Sequence, residues 1–82
     1  MEIRYTDSAQ EDFKKLDRFT QKRIAKKMRF YAEQKNPIVF AKRLTDSNEG
    51  EFRFSIGDYR LSFDVVGAKI FILHIERRDK AY

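Results

Sequence analysis

The spacing of apolar residues along the chain changes once, from a helical period in the first half to alternation in the second. Ile3 and Tyr5 flank Arg4, which predicts a short first strand. Two sets of apolar residues then follow at helical spacing: Ala9, Phe13 and Leu16, and after them Ile24, Met28 and Tyr31. The first half therefore predicts a strand followed by two helices packed as a hairpin.

Polar residues mark where these two helices begin and end. Asp7 or Ser8 is placed to cap the first helix, and Asp17, with Thr20 three residues later, is placed to cap the second. Pro37 ends the second helix, because the residue before a proline avoids the α region.

Apolar and polar residues alternate from residue 52 onward, as they do in strands with one buried face. The set expected to face the helices is Phe52, Phe54, Tyr59, Leu61 and Phe63. Gly57 and Asp58 predict a tight turn, and Gly67 predicts another. The apolar run 70–75 predicts a central strand covered on both faces, and a short pairing segment is expected near residues 41–45.

Together these elements predict one α+β domain over residues 1–82. Its N-terminal strand and helical hairpin pack on one face of a twisted antiparallel sheet. A chain of 82 residues has no room for a second domain.

The charge balance indicates an anionic partner. The net charge is +5, and residues 7–37 contribute +4 of it, with nine Lys and Arg against five Asp and Glu. A basic small domain of this kind is expected to meet nucleic acid, an acidic protein or a membrane surface. The sequence has no signal-peptide pattern and no apolar run near the roughly 20 residues of a membrane span. It has no cysteine either, which fits a reducing compartment, so we expect a cytoplasmic protein without a membrane partner.

The polar face of the alternating segment is the main candidate for chemistry. It carries Arg53, Ser55, Arg60, Ser62 and Asp64, and two guanidinium groups on an open sheet face attract phosphate. Arg77, Arg78 and Lys80 flank this face, while Tyr59 and Tyr82 offer rings on which a base could stack. An ordinary solvated sheet face explains the same spacing equally well. With a single histidine, His74, expected to be a packed or rim residue, no metal site or cofactor is predicted.

One long segment resembles a known family. The stretch from Gly50 to Val65, with its Gly57-Asp58-Tyr59-Arg60 turn, is similar to the hairpin of RelE/ParE toxins of bacterial type II toxin–antitoxin systems. The stretch from Arg77 to Tyr82 resembles the closing segment of the same family, and Ala9 to Leu16 resembles its first helix. The resemblance covers essentially the whole chain.

The resemblance implies a function and a set of site residues. Its RelE-like branch, which the Gly-Asp-Tyr-Arg turn and the terminal tyrosine favour, consists of ribosome-dependent mRNA endonucleases that use no metal. Carried over residue by residue, the implied catalytic residues are Arg60, Arg77, Arg78 and Tyr82, and the implied RNA-binding residues are Arg53, Ser55, Tyr59 and Lys80. The sequence departs from the best-studied pattern at Ser55, where that pattern has a second basic residue.

Two other functions stay open at this point. A ParE-like toxin of the same fold would poison DNA gyrase without catalytic residues, and a basic nucleic-acid-binding module would need no toxicity. The resemblance implies an acidic antitoxin protein as the partner in the first two cases, and the ribosome with its mRNA in the endonuclease case.

Overall fold

The fold is a five-stranded sheet with two helices on one face. The structure, a computed structural model, describes residues 1–45 and 50–78. Its elements, in chain order, are β1 (Glu2–Tyr5), α1 (Asp7–Lys14), α2 (Arg18–Glu33), a 3₁₀ turn (Pro37–Phe40), β2 (Lys42–Arg43), β3 (Phe52–Ile56), β4 (Tyr59–Val66) and β5 (Lys69–Arg77). No helix within the described ranges is long and apolar enough to cross a membrane.

Both helices begin at residues whose side chains accept a backbone N–H of the first turn. Asp17 caps α2 and accepts the N–H of Thr20 at 3.2 Å, as predicted. The cap of α1 is Thr6, which accepts the N–H of Ala9 at 3.2 Å, so the expectation of Asp7 or Ser8 is wrong by at least one position. The helix α2 ends at Glu33, ahead of Pro37, which opens the 3₁₀ turn instead of closing the helix directly.

The strand order is β1-β5-β4-β3-β2. The hairpins β2–β3, β3–β4 and β4–β5 are antiparallel, but β1 lies parallel to β5, with Ile3 opposite Ile70. The predicted antiparallel meander is confirmed in β2 to β5, and β1, whose pairing partner was not predicted, makes the sheet mixed. The physical reason is the long connection between β1 and β5, since parallel neighbours require a crossover that a tight turn cannot supply.

The core lies between the helices and one face of the sheet. Its fully buried sheet residues are Phe54, Leu61, Phe63, Ile70 and Ile72, and its helical residues include Ile24, Met28 and Tyr31. The ring of Phe54 stacks on Tyr31 with centroids 4.2 Å apart and on Phe63 with centroids 4.5 Å apart. The predicted direction of the alternating apolar residues is confirmed, because they face the helices.

An irregularity in β5 changes which residues share a face. Ser62 pairs with His74 and Phe63 pairs with Ile72, so Leu73 is an extra residue in β5. Since neither α1 nor α2 covers the second face of the sheet, Phe71, Leu73 and His74 are only partly buried. The strand predicted to be covered on both faces is therefore an inner strand covered on one.

Candidate functional site

The sheet face that lies away from the helices, here called the open face, carries the predicted pair of arginines. Arg53 lies opposite Ser62, and Ser55 lies opposite Arg60. These residues alternate with Phe54 and Leu61, which are fully buried against the helices. Two guanidinium groups and two hydroxyls therefore share one surface, as the alternation predicted.

Arg53 and Arg60 are diagonal neighbours on adjacent strands, an arrangement that brings Cα atoms within about 7–8 Å and long side chains into reach. Partial burial of Arg53, and then repulsion from Arg60, lower the pKa of its guanidinium. The Nε atoms of both residues are buried and have no hydrogen-bond partner among residues 1–45 and 50–78. The pair thus concentrates positive charge and unused N–H donors where an anion would be stabilised.

The carboxylates nearest in the sheet register form no direct ion pair with these arginines among the described residues. Asp64 accepts the N–H of Glu51 at 3.0 Å, and Glu51 in turn accepts the N–H of Val65 at 3.1 Å, so both serve the loop before β3. Glu76 lies opposite Arg60 in register, yet within the described part of the chain neither Arg53 nor Arg60 forms an ion pair with a carboxylate. The arginine pair is therefore held without a direct ion pair, on a face that also carries Asp64 and Glu76.

A histidine extends this row of side chains, and sequence reasoning had not placed it there. His74 pairs with Ser62, which itself lies opposite Arg53. Its Nδ1 is 3.8 Å from the carboxylate of Asp12, and the same carboxylate oxygen accepts the N–H of Ile75 at 3.0 Å. With 45% of its side chain exposed, His74 is a rim residue, one of the two positions expected for it. No local spacing signals its contact with Asp12, because α1 meets β5 only in the folded chain.

Two of the other site residues lie on the opposite side of the sheet. Tyr59 pairs with buried Ile56 on one side and with Arg77 on the other, so Tyr59 and Arg77 share the helix-covered face. They line a shallow pocket of about 550 Å³ together with Lys15 and Leu16 of the first helical region. The fold therefore does not bring Arg77 or Tyr59 to the arginine pair.

The last site residues lie at or beyond the end of β5. Arg78 directly follows the strand, and its N–H donates to the carbonyl of Asp58 at 2.7 Å, which holds it beside the β3–β4 turn. Lys80 and Tyr82 lie outside the described residues. Within the described ranges, no group of three or more His, Cys, Asp or Glu side chains lies together as metal ligands would. The chemistry available on the open face is thus that of arginines, hydroxyls, one imidazole and the carboxylates of Asp64 and Glu76.

The chain is similar to one protein family and to proteins of known structure. A family model described as "ParE toxin of type II toxin-antitoxin system, parDE" matches residues 3–82. The chain is similar to a protein in the crystal structure of the toxin–antitoxin complex RelBE2 from Mycobacterium tuberculosis, with 24% identity, a TM-score of 0.76, and 94% of this chain and 96% of that chain covered. It is also similar to one in the RelB–RelE antitoxin–toxin complex from Methanococcus jannaschii, with 17% identity, a TM-score of 0.75, and 96% and 94% covered. At these identities the two structures establish a shared fold, and no curated protein sequence matches significantly.

Proposed function

This chain belongs to the ParE toxin family of type II toxin–antitoxin systems, and we propose that it is a ribosome-dependent endoribonuclease that cuts mRNA on its open face. Membership confirms the resemblance to RelE/ParE toxins. The endonuclease activity is a further step, and it rests on the geometry of the arginine pair.

The observation that carries the proposal is the placement of Arg53 and Arg60. Two like charges are held close together, with buried Nε donors that find no partner among the described residues. A phosphodiester would relieve their repulsion and accept their N–H groups in the forked geometry that arginine favours. Ser55 and Ser62 would add hydroxyls to the same contact. On an ordinary solvated face we would expect these nitrogens to be hydrogen-bonded to water, whereas both Nε atoms are buried.

The reaction this face would support is cleavage by the RNA's own 2′-hydroxyl. The 2′-oxygen attacks the adjacent phosphorus, the bond from phosphorus to the 5′-oxygen breaks, and a 2′,3′-cyclic phosphate is left. Arg53 and Arg60 would stabilise the charge that develops on the phosphorane oxygens. The 2′-hydroxyl proton needs an acceptor, and the leaving 5′-oxygen takes a proton from water.

Two side chains are candidates for the proton acceptor. The family resemblance implies Tyr82, with Arg77 and Arg78 as the cations that would favour its phenolate and Lys80 as a further RNA contact. Of the two cations, Arg77 lies on the helix-covered face, so Arg78 is the one that we propose for this role. The sheet register adds His74, which lies in the same row as Ser62 and Arg53, and imidazole is the side chain most often used for proton transfer. A site with so few catalytic groups would depend on the ribosome to orient the mRNA.

An antitoxin is the other partner in this proposal. Both solved structures described above are toxin–antitoxin complexes, which supports a cognate antitoxin for this chain as well. Charge complementarity favours an acidic one, since the chain carries 18 Lys and Arg against 13 Asp and Glu.

A second candidate function is favoured by the family model itself, which is that of ParE toxins. A ParE-like toxin would poison DNA gyrase through a protein surface, and the arginine pair would then have no reaction to perform. This alternative requires the same antitoxin and the same fold, so only the target distinguishes the two.

The experiment that separates them gives each target the same purified toxin. In the first reaction, the toxin is added to ribosomes translating a defined mRNA, and primer extension detects new mRNA ends. In the second, the toxin is added to gyrase and supercoiled plasmid, and cleaved DNA is trapped and measured. The endonuclease proposal predicts new mRNA ends on ribosomes, none on free mRNA, and an intact plasmid. Gyrase-dependent plasmid cleavage with uncut mRNA would establish the alternative. Toxin mixed beforehand with its antitoxin is the control for both reactions.

A further inference from the structure

The region of α1 covers one backbone edge of β5 beyond the point where β1 ends. β1 pairs only with the first part of β5. In the part that follows, the hydroxyl of Thr6 donates to the carbonyl of Leu73 at 3.1 Å, and the carboxylate of Asp12 accepts the N–H of Ile75 at 3.0 Å. These two bonds hold the strand on either side of His74, so α1 reaches the border of the open face there.

The carboxylate of Asp12 contacts two groups at once. Its Oδ2 atom, which accepts the N–H of Ile75, also lies 3.8 Å from Nδ1 of His74. That separation is typical of an ion pair rather than of a hydrogen bond, so the contact gains strength when the imidazole is protonated. Asp12 cannot turn away from the ring without losing its bond to the backbone. A negative charge is therefore held beside the imidazole before any reaction begins.

The other ring nitrogen of His74 is accessible to a substrate. Within residues 1–45 and 50–78, no hydrogen bond engages Nε2, and 45% of the side chain is exposed. His74 lies opposite Ser62, and Ser62 lies opposite Arg53 on the next strand. Neighbouring strands are about 5 Å apart, so a phosphate held over Ser62 would be within reach of the guanidinium on one side and of the imidazole on the other.

The extra residue in β5 is what brings this imidazole to the arginine pair. If the alternation that buries Ile70 and Ile72 continued unchanged, residue 74 would point toward the helices. Leu73 shifts the register, so Ile75 is buried instead and His74 joins the row of Ser62. The irregularity thus places a proton acceptor where the phosphate contacts already lie.

Asp12 is the carboxylate placed to act on this ring. Among the described residues, it is the only acidic side chain within 4 Å of the imidazole. The other charged residues on the neighbouring elements are Arg4 of β1, Lys15 after α1, Arg60 and Asp64 of β4, Arg53 of β3, and Glu76 and Arg77 of β5. A positive charge that forms on the ring is therefore stabilised first by Asp12.

We propose that His74 is the catalytic base of the mRNA cleavage and that Asp12 is its positioning residue, which rests on the endonuclease function proposed above. Nε2 takes the proton of the 2′-hydroxyl as the 2′-oxygen attacks phosphorus, and Asp12 stabilises the imidazolium that forms. The bond from phosphorus to the 5′-oxygen breaks, and that oxygen takes a proton from water. The imidazolium then gives its proton to the hydroxide that remains, which regenerates the base.

The first test removes each side chain of this pair. His74→Ala should cut ribosome-bound mRNA about 100-fold more slowly than the wild type, and added imidazole should restore part of the rate. Asp12→Asn can still accept the N–H of Ile75, so it should lower kcat about tenfold and change KM by less than about twofold. Asp17→Asn is the matched control, because Asp17 also accepts a backbone N–H but forms no ion pair with His74. It should cleave like the wild type.

The second test follows the imidazole itself, which is possible because the chain has a single histidine. The Cε1–H resonance is recorded by NMR as the pH is varied. Loss of the nearby negative charge should move the titration midpoint to lower pH by about 0.5 pH unit or more in Asp12→Asn, and by less than about 0.1 in Asp17→Asn. Asp12→Glu, which keeps the charge, should recover most of the difference. The acid limb of the pH–rate profile should move in the same direction, because the base must be deprotonated to act.

The outcomes separate the two proposals, with melting curves confirming that each variant is folded. If the wild type leaves ribosome-bound mRNA uncut, the endonuclease function is wrong and His74 has no reaction to catalyse. If the wild type cuts and His74→Ala cuts equally fast, the base is not His74, and a loss of cleavage in Tyr82→Phe would give that role to Tyr82. An Asp12→Asn variant with the midpoint and acid limb of the wild type would show that Asp12 only holds the backbone of β5.

Discussion

At the scale of single residues, repulsion between the neighbouring guanidinium groups of Arg53 and Arg60 lowers the stability of the folded chain, and a bound anion would relieve it. We predict that Arg60→Ala lowers mRNA cleavage by about 100-fold or more, as loss of a charge-stabilising donor does in other enzymes. The free energy of unfolding should change by less than about 0.5 kcal/mol, because the change removes a surface cation and a repulsion with Arg53. Cleavage assays and urea denaturation measure the two effects.

Arg4→Ala is the matched control for that prediction. Arg4 is an exposed arginine on β1, where it pairs with Glu2 and lies two strands away from Arg60. This variant should fold and cleave like the wild type. A folded Arg60→Ala variant that still arrests growth and still cuts ribosome-bound mRNA would show that Arg60 is an ordinary surface residue.

Asp17 gives a second residue-scale prediction, on acid stability. Its hydrogen bonds from Thr20 lower the pKa of its carboxyl below the ordinary 3.8. A lowered folded-state pKa stabilises the fold above pH 3.8, and this contribution is lost as the pH falls through the lower value. Asp17→Asn keeps a capping side chain but does not titrate. Its melting temperature should therefore fall less than that of the wild type between about pH 5 and about pH 2.5.

Glu2 adds an acid sensitivity that the wild type and the variant share. Its hydrogen bond from Arg4 also lowers the pKa of its carboxyl, so part of the acid sensitivity remains in Asp17→Asn. Parallel melting curves for wild type and variant over this range would contradict the assignment of Asp17.

Alternation of apolar and polar residues predicts the face of Arg53 and Arg60, but not the faces of Arg77 and His74. Arg53 and Arg60 share a face because both belong to uninterrupted segments of β3 and β4, for which a period of two suffices. In β5 the extra residue Leu73 reverses the parity, since Ile70 and Ile72 are buried before it and Ile75 is buried after it. Arg77 therefore lies on the helix side, and His74 lies on the open face. No feature of the sequence announces that irregularity.

At the scale of elements, α1 is fixed to the sheet through its N-cap residue, Thr6. The hydroxyl of Thr6 accepts the N–H of Ala9 and donates to the carbonyl of Leu73 at 3.1 Å, so one side chain caps α1 and ties it to the irregular part of β5. Thr6→Ala should lower the free energy of unfolding by about 1–2 kcal/mol, whereas Thr6→Ser, which keeps the hydroxyl, should lose much less. Urea denaturation of the three proteins decides it, and equal losses in the two variants would show that the methyl group matters instead.

Periodicity predicted the helices and hairpins because each is stabilised by neighbours in sequence. The spacing of Ile24, Met28 and Tyr31 marks α2, and the Gly57-Asp58 turn marks the β3–β4 hairpin. The partner of β1 had no such signal. Ile3 and Tyr5 indicate that one face is buried, but they are compatible with either edge of the sheet and either direction.

At the scale of the whole molecule, stability depends on a single core on one side of the sheet. Phe54 lies at its centre, fully buried between Tyr31 and Phe63. Phe54→Ala should lower the free energy of unfolding by about 3–5 kcal/mol, a large share of the roughly 5–15 kcal/mol that holds a small domain. Phe19→Ala, at a ring 73% exposed on α2, should change it by less than about 0.5 kcal/mol. Similar melting temperatures for the two variants would contradict a core centred on Phe54.

The parallel pairing of β1 with β5 sets an order of events during synthesis. Glu2 pairs with Lys69, so the first strand to leave the ribosome must wait for a partner that is 67 positions later in the chain. At about 5–20 residues per second, this wait lasts several seconds, during which the helices have no complete sheet to cover. A nascent chain interrupted before β5 has neither its β1 contact nor the strand that carries His74. The five-stranded sheet is therefore complete only after β5 has been synthesised.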